Sequence, residues 1–284
     1  MERSVAVIQR VQPIFQILYL LELVGAAVVT SLGWIVCRIL QVDSHASAPL
    51  WFAGYLFVYN LDRLYRDPAD QINIPIRSRE SEHLRPFRIG LCVLSGVTLV
   101  LWPALTGHWQ LILPIALAST ILQFYSRPIP GIGFRFKDLP YIKLLLAPLV
   151  IAGILVVWPC IENGKSFRLK ECLIFIWCLL ILAINALVFD YRDIEGDAVV
   201  GTATIPVRLG QRNSIYLLAV LALALVGVSG WFATKRFVSP LMPATLACGS
   251  SGLFLGLLGQ SRPITISFFA DLLLVLPAIV EIFA

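Results

Sequence analysis

Four acidic side chains are concentrated in one short segment, "DYRDIEGD", which directly follows the uncharged apolar run 172–189. If the chain continues there as a helix, Asp190, Asp193 and Asp197 fall within a sector of about 60°, while Glu195 points elsewhere. Like charges on one helix face repel each other, so a cation should join them. Mg²⁺ takes oxygen ligands and commonly combines one or two carboxylates with the phosphates of a substrate. The segment therefore predicts a Mg²⁺ site, and the alternative is a solvated helix end that only marks topology.

A second acidic segment, "NLDRLYRDPADQINIPIRSRESEH", follows an earlier apolar run. Asp62, Asp67 and Asp70 are its candidate metal ligands. Pro68 is incompatible with a helix interior, so Asp67 and Asp70 are expected on a loop after the helix. Together the two segments hold more than half of the 17 acids, which favours a shared metal site. The alternative for this segment is a loop of Asp–Arg salt bridges without metal.

Basic residues near these acids could hold the oxygens of a phosphate group that the metal leaves exposed. Arginine binds phosphate through its planar fork, and lysine acts as a point charge. The loop "YSRPIPGIGFRFKDLPYIK" supplies most of them. The candidate diphosphate-binding residues are Arg66, Arg77, Arg127, Arg135, Lys137, Lys143 and Arg208. Arg135 and Lys137 are the expected direct contacts.

Ionisable and amide side chains within apolar runs are candidates for an internal cavity, because a charge inside a bilayer is costly and usually has a function. Glu22 and Asp271 are acids inside such runs, and Asp271 has the simpler alternative of bonding a neighbouring helix. The predicted cavity residues are Glu22, Asn60, Tyr125 and Asn185.

The elements that must position these residues are membrane-spanning helices. The chain is 58% apolar and 14% charged, with a mean hydropathy of +0.85, and this excludes an ordinary soluble domain. A membrane β-barrel would show alternating residues. Nine spans are predicted, at about 14–37, 47–62, 87–106, 109–125, 141–159, 171–190, 214–233, 239–258 and 263–284.

Most of the 22 lysines and arginines fall on the side of the N-terminus and of the loops after even-numbered spans. This bias predicts a cytoplasmic or stromal N-terminus and explains the net charge of +5 without a nucleic-acid partner. The six cysteines form no C-x-x-C pair and are interpreted as packing residues. The oligomeric state is not predicted.

Three motifs resemble those of the UbiA superfamily of intramembrane prenyltransferases. "DYRDIEGDAVVGTATIPVRLG" resembles the second Asp-rich motif, "YSRPIPGIGFRFK" resembles the stretch after the fourth helix, and "DQINIPIRS" resembles the tail of the first Asp-rich motif. The resemblance implies a single all-α domain, 1–284, with its helices around a central cavity open to the cytoplasmic side. It also implies Mg²⁺-dependent transfer of a prenyl group from an allylic prenyl diphosphate to a lipophilic, commonly aromatic, acceptor. The similar positions of the two acidic segments favour two four-helix halves, about 14–125 and 141–258, plus a ninth helix.

The first motif departs from the family pattern, which has Asn, then Asp four residues later, then Asp four residues later again. Asp62 stands at the Asn position, Arg66 at the middle Asp position and Asp70 at the last. The competing functions are a membrane terpene cyclase, a non-catalytic homologue that binds a prenyl lipid or pigment or assists assembly, and a transporter. Arg66 favours the non-catalytic homologue, whereas the intact second motif favours the two enzymes.

Substitution of Arg66 distinguishes two roles for this unusual cation. If Arg66 neutralises phosphate oxygens, Arg66→Ala should lower prenyl transfer measured by product formation. If Arg66 instead pairs with Asp62 and Asp70, Arg66→Asp should strengthen Mg²⁺ binding measured by calorimetry. A structure with the Arg66 guanidinium directed to lipid or bulk water would contradict both roles.

Overall fold

The protein is described by a computed structural model over residues 17–65, 72–73, 83–133, 135–139, 142–258 and 263–283. Its regular structure in these parts of the chain is helical, without strands. The α-helices are α1 (Leu23–Leu40), α2 (Ser47–Arg63), α3 (Arg85–Leu105), α4 (Ile112–Ser126), α5 (Ile142–Glu162), α6 (Leu169–Arg192), α7 (Ile194–Val199), α8 (Ile205–Thr234), α9 (Met242–Leu258) and α10 (Pro263–Phe283).

The positions of the long helices follow the apolar runs. Each predicted span overlaps one of the long helices. The short helix α7 lies outside all the predicted spans. Six of the helical segments are long and apolar enough to cross a membrane, namely Leu23–Leu40, Arg85–Leu105, Trp109–Ser126, Ile142–Glu162, Leu169–Arg192 and Ile205–Thr234. The early start of α8 has a local cause, because Gly210 has a φ of 78° and separates a first short helical segment from the predicted span 214–233.

The helices pack in sequence order into a closed ring. Successive long helices contact each other, and α10 contacts both α6 and α1. A buried hydrogen bond joins α6 to α8, where Trp177 Nε1 donates to Ser229 Oγ at 2.8 Å. At one end of the ring, Glu162 at the end of α5 accepts from the backbone N–H of Ala46 at 3.0 Å and from the Ser47 hydroxyl. This carboxylate satisfies donors at the start of α2 that lack a helical partner.

The first helix is broken immediately before α1. Residues 17–20 are helical, and Glu22 then has a left-handed φ of 64°. A break inside an apolar bundle frees backbone carbonyls, which need donors because water is excluded. Asn60 Nδ2 donates to the Leu21 carbonyl at 3.0 Å, and the fully buried Arg88 donates to the Leu20 carbonyl at 3.0 Å. The break therefore has its own supporting donors on α2 and α3.

Close contact between α1 and α2 depends on a glycine. A Cβ atom at Gly33 would lie 2.5 Å from ring carbons of Trp51, which is closer than side chains can pack. Trp51 cannot easily move, since it is 1% exposed and its Nε1 donates to the Ile154 carbonyl of α5 at 3.2 Å. Gly33 thus allows Trp51 to join three helices.

Gly33→Ala should lower the free energy of unfolding by about 1–3 kcal/mol, because the added methyl group overpacks the contact with Trp51. Thermal unfolding in detergent or nanodiscs, followed by Trp fluorescence, measures the effect. Gly90→Ala is the matched control, since a Cβ atom there meets no atom within 4 Å. Equal melting temperatures for the two variants would contradict this account of the contact.

Candidate functional site

A cavity of about 240 Å³ lies inside the ring, towards the end formed by the C-termini of α2 and α6 and the start of α5. Seven of the residues predicted from the sequence line it: Glu22, Asp62, Tyr125, Lys143, Asn185, Asp190 and Asp193. Its other polar or aromatic lining residues include Tyr19, Tyr55, Tyr59, Arg63, Arg192 and Asp271. The cavity thus brings together acids and bases from distant parts of the chain.

Lys143 lies between two carboxylates of the acidic segment. Its Nζ is 3.0 Å from Asp190 Oδ1 and 2.6 Å from Asp197 Oδ2. The Lys143 side chain is 16% exposed and each Asp side chain is 6% exposed, so these charges interact with little water between them. We call Lys143, Asp190 and Asp197 the lysine cluster. It links α5, α6 and α7 at the mouth of the cavity.

The lysine cluster retains excess acceptor capacity. Asp190 Oδ2 is buried and has no hydrogen-bond partner among the described residues. Burial raises the pKa of the Asp197 carboxyl, and the Lys143 ammonium group only partly opposes that rise. Two carboxylates share one ammonium group, so an additional cation would be stabilised here.

Asp193 does not join Asp190 and Asp197 in contacting Lys143. The helix ends at Arg192, and Asp193 (φ −97°, ψ 11°) separates α6 from α7. The prediction of one common helix face for the three aspartates is therefore wrong. Asp190 and Asp197 meet at Lys143, whereas both Asp193 oxygens accept from Arg192, at 2.7 Å from Nε and 2.6 Å from Nη2. Arg192 also donates to Ser267 Oγ of α10 at 2.6 Å.

The opposite wall of the cavity carries an ion pair at the helix break. Glu22 is 6% exposed, and its Oε1 lies 3.3 Å from Arg63 Nε. The left-handed backbone at Glu22 thus places this acid beside the end of α2 as well as beside the cavity. On α6, the Asn185 Nδ2 donor is buried and has no hydrogen-bond partner among the described residues. Three of the four predicted cavity residues, Glu22, Tyr125 and Asn185, therefore line the space.

Several predicted site residues lie elsewhere. Asn60 does not line the cavity, because its amide bonds the carbonyls of Leu21 and Leu56. Arg127 donates to the Leu61 carbonyl. Arg208 is exposed in the first turn of α8, and Arg135 is half-buried beside the turn Phe136–Asp138, which contains Lys137. Lys137 lies close enough to Asp197 for its charge to act on that carboxyl. Arg66, Asp67, Asp70 and Arg77 lie outside the described residues.

The described residues contain no group of three His, Cys, Asp or Glu side chains arranged to hold a metal ion. Among these residues, Lys143 and Arg192 contact oxygens of all three aspartates of the second segment. The unpartnered Asp190 Oδ2 and the hard oxygen donors nevertheless suit Mg²⁺, which needs only one or two carboxylates when a substrate phosphate completes its ligands.

A smaller cavity of about 30 Å³ lies beside the main one and is lined mostly by apolar side chains. Val29, Tyr55, Tyr59 and Ile151 line both spaces. The rings of Tyr55 and Tyr59 are stacked, with centroids 4.1 Å apart and an interplanar angle of 18°. This tyrosine pair contributes to the walls of both cavities.

The two acidic segments contact each other at the mouth. Asn73, in the tail of the first segment, accepts from the Gly196 N–H of α7 at 2.8 Å. Helix α7 needs this acceptor, because the N-terminal N–H groups of a helix lack internal partners and Asp193 makes no side-chain cap. A Cβ atom at Gly196 would lie 2.4 Å from the Asn73 amide, so the contact also requires glycine.

Asn73→Ala should accelerate hydrogen exchange of the Gly196 amide about fivefold, which corresponds to the loss of one hydrogen bond of about 1 kcal/mol. Mass spectrometry of peptides that span Ile194–Val199 measures this exchange. Asn73→Asp is the control, because it keeps an acceptor oxygen at the same position and should retain protection. Unchanged exchange in Asn73→Ala would show that Asn73 does not support α7.

Sequence reasoning missed Arg192, Arg63, Tyr55 and Asn73 as parts of this site. Arg192 and Arg63 adjoin predicted aspartates, so their proximity to the site was a usable signal. The partner of Arg63 could not be predicted, because it is Glu22, which lies at the break before α1. Tyr55 lies four residues before Tyr59, and this helical spacing places both rings on one face of α2.

The fold has counterparts among solved structures. A UbiA homolog from Archaeoglobus fulgidus bound to GPP and Mg²⁺ matches with a TM-score of 0.57 and 14% identity, over 93% of this chain and 98% of that chain. The same protein bound to DMAPP and Mg²⁺ gives a TM-score of 0.56 at 13% identity, over 94% and 99%. A digeranylgeranylglyceryl phosphate synthase gives 0.51 at 14% identity, over 94% and 98%. These likenesses establish a shared fold.

No sequence among curated proteins matches the chain. The model of the UbiA prenyltransferase family matches residues 75–269, which is more than half of the chain. This match includes the later part of the segment after α2, the basic loop, the lysine cluster and the first third of α10. The chain therefore belongs to the UbiA prenyltransferase family, a family of membrane-embedded proteins.

Proposed function

We propose that this protein transfers a prenyl group from an allylic prenyl diphosphate to a lipophilic acceptor, commonly an aromatic ring, within the membrane. The observation that carries the proposal is the lysine cluster with its unpartnered Asp190 oxygen, at the mouth of a cavity enclosed by apolar helices. The bound ligands of the Archaeoglobus fulgidus homolog, GPP, DMAPP and Mg²⁺, support this substrate class.

The carboxylates at the mouth would hold Mg²⁺, with Asp190 and Asp197 from the lysine cluster and with Asp193 and Asp62 beside them. Asp67 and Asp70 are proposed as further ligands from the first segment. When bound, Mg²⁺ supplies Lewis-acid neutralisation of the departing diphosphate. Without a cation, five cavity-lining acids against three cavity-lining bases would repel the diphosphate.

The side chains of this chain have three further tasks in the reaction. Lys143, together with Lys137, Arg135 and the other predicted cations, would bind diphosphate oxygens and hold the leaving group at the mouth. The allylic C–O bond breaks with its electron pair on the diphosphate, and the acceptor then forms a bond to the allylic carbon and loses a proton. The stacked Tyr55 and Tyr59 would stabilise positive charge on the prenyl group with their ring faces.

The ring of apolar helices would exclude water from the allylic carbon, so that water does not capture it in place of the acceptor. The smaller apolar cavity behind the tyrosine pair extends the space that a prenyl chain could use. A membrane terpene cyclase would use the same lysine cluster without an acceptor. A non-catalytic homologue would bind the diphosphate without forming a product, so product analysis separates these functions from prenyl transfer.

We also infer that the nine long helices all cross the membrane, with the N-terminus and the mouth of the cavity on the cytoplasmic or stromal side. The distribution of Lys and Arg supports this orientation. The apolar composition of the helices outside the six clear candidates supports their insertion as well. The division into two four-helix halves remains a prediction.

Asp190→Asn should weaken binding of a prenyl diphosphate in the presence of Mg²⁺ by about a hundredfold, because a neutral amide binds a cation poorly. Thermal shift in nanodiscs measures it, with Mg²⁺ alone, geranyl S-thiolodiphosphate alone and both together. In the unsubstituted protein we expect a large shift only with both ligands.

Asp43→Asn is the matched control, since Asp43 is an exposed acid near the start of α2, at the other end of the ring. It should retain the combined shift. A shift that persists in Asp190→Asn would remove the lysine cluster from the proposed site. Absence of any combined shift in the unsubstituted protein would contradict prenyl-diphosphate binding altogether.

A further inference from the structure

We propose that Lys143 is an exchangeable internal cation, so that a divalent metal and a prenyl diphosphate bind together and neither binds well alone. This inference rests on the proposed function, because it concerns binding order at the same site. Its basis is the position of Lys143 Nζ, in direct contact with an oxygen of Asp190 and an oxygen of Asp197.

The first step of the argument is that Lys143 and a divalent cation require the same space. The Nζ contacts of 3.0 Å and 2.6 Å fill the gap between the two carboxylates. Mg²⁺ binds oxygen at about 2.0–2.1 Å and would have to enter that gap or approach the unpartnered Asp190 Oδ2. In either position it lies close to the ammonium group, and the repulsion between like charges is strong where water is scarce.

The second step is that removal of the ammonium group without a new partner is also unfavourable. Lys143 is largely enclosed, and its charge would lose two carboxylate contacts. A buried charge that loses its partner is strongly destabilising. Mg²⁺ alone therefore competes with an ammonium group that already holds one oxygen of each carboxylate.

The third step is that a diphosphate resolves this competition. Its oxygens accept hydrogen bonds from an ammonium group, and its negative charge offsets the added metal charge. Lysine carries its charge on a flexible four-carbon stem and can change direction. Its backbone is held, because the Tyr125 hydroxyl donates to the Lys143 carbonyl at 3.2 Å. The side chain can thus move from the carboxylates to the diphosphate while the start of α5 stays in place.

Lys143→Met tests the exchange by a measurement that needs no catalysis. Mn²⁺ affinity without diphosphate, measured by electron paramagnetic resonance in nanodiscs, should rise at least about tenfold, because the competing cation is gone. The dependence of Mn²⁺ binding on added geranyl S-thiolodiphosphate should fall in the same variant.

Two controls separate exchange from a general effect of charge. Lys143→Arg keeps a cation at the position and should show no gain in Mn²⁺ affinity. Lys235→Met removes an exposed lysine directly after α8 and should show none either. An equal gain in Lys235→Met, a gain in Lys143→Arg, or no gain in Lys143→Met would overturn the proposal.

A structure of the unsubstituted protein with Mg²⁺ and geranyl S-thiolodiphosphate tests the exchange even if Lys143→Met fails to fold. We expect Lys143 Nζ on a diphosphate oxygen. Lys143 still bridging Asp190 and Asp197, with metal bound elsewhere, would overturn the exchange but leave the proposed function intact. Failure of the unsubstituted protein to bind prenyl diphosphate with Mg²⁺ would instead contradict the proposed function.

Discussion

A buried charge inside an apolar bundle must have a partner. The contact of Lys143 with Asp190 and Asp197 meets this requirement and links three helices. It joins the start of α5 to the end of α6 and to α7 across 54 residues of sequence. The contact links these helices, and Asp190 and Asp197 together carry one more negative charge than Lys143 neutralises. The three residues that link these helices are also those that we propose to bind the ligands.

The same requirement explains the first helix. Its break would leave carbonyl groups without donors, and Asn60 and Arg88 supply them from α2 and α3. The break in turn places Glu22 beside the cavity, where Arg63 pairs with it. Asn60 and Arg88 do not line the cavity, but they support the break that places Glu22 there.

The helices could be predicted because an apolar run long enough to cross a bilayer has few alternatives to a helix. Asp190, Lys143, Tyr125 and Glu22 were all candidate site residues from the sequence, and they line one cavity. Their pairing could not be predicted, because it depends on the break at Asp193. In a continuous helix, Asp193 would lie on the same face as Asp190 and Asp197. Because the helix ends at Arg192, Asp193 instead forms an ion pair with Arg192. The role of Asn60 was equally hidden, since its partner Leu21 lies 39 residues away.

The break before α1 depends on donors from Asn60 and Arg88, and this affects how natural variation in the gene would be interpreted. A substitution at Asn60 or Arg88 removes a donor to the backbone just before Glu22, although neither residue lines the cavity. Such alleles would be expected to disturb the same wall of the cavity as changes at Glu22 itself. In a genetic screen the three positions should therefore form one phenotypic class, and a second-site suppressor of a change at Asn60 should arise near the break rather than among the aspartates.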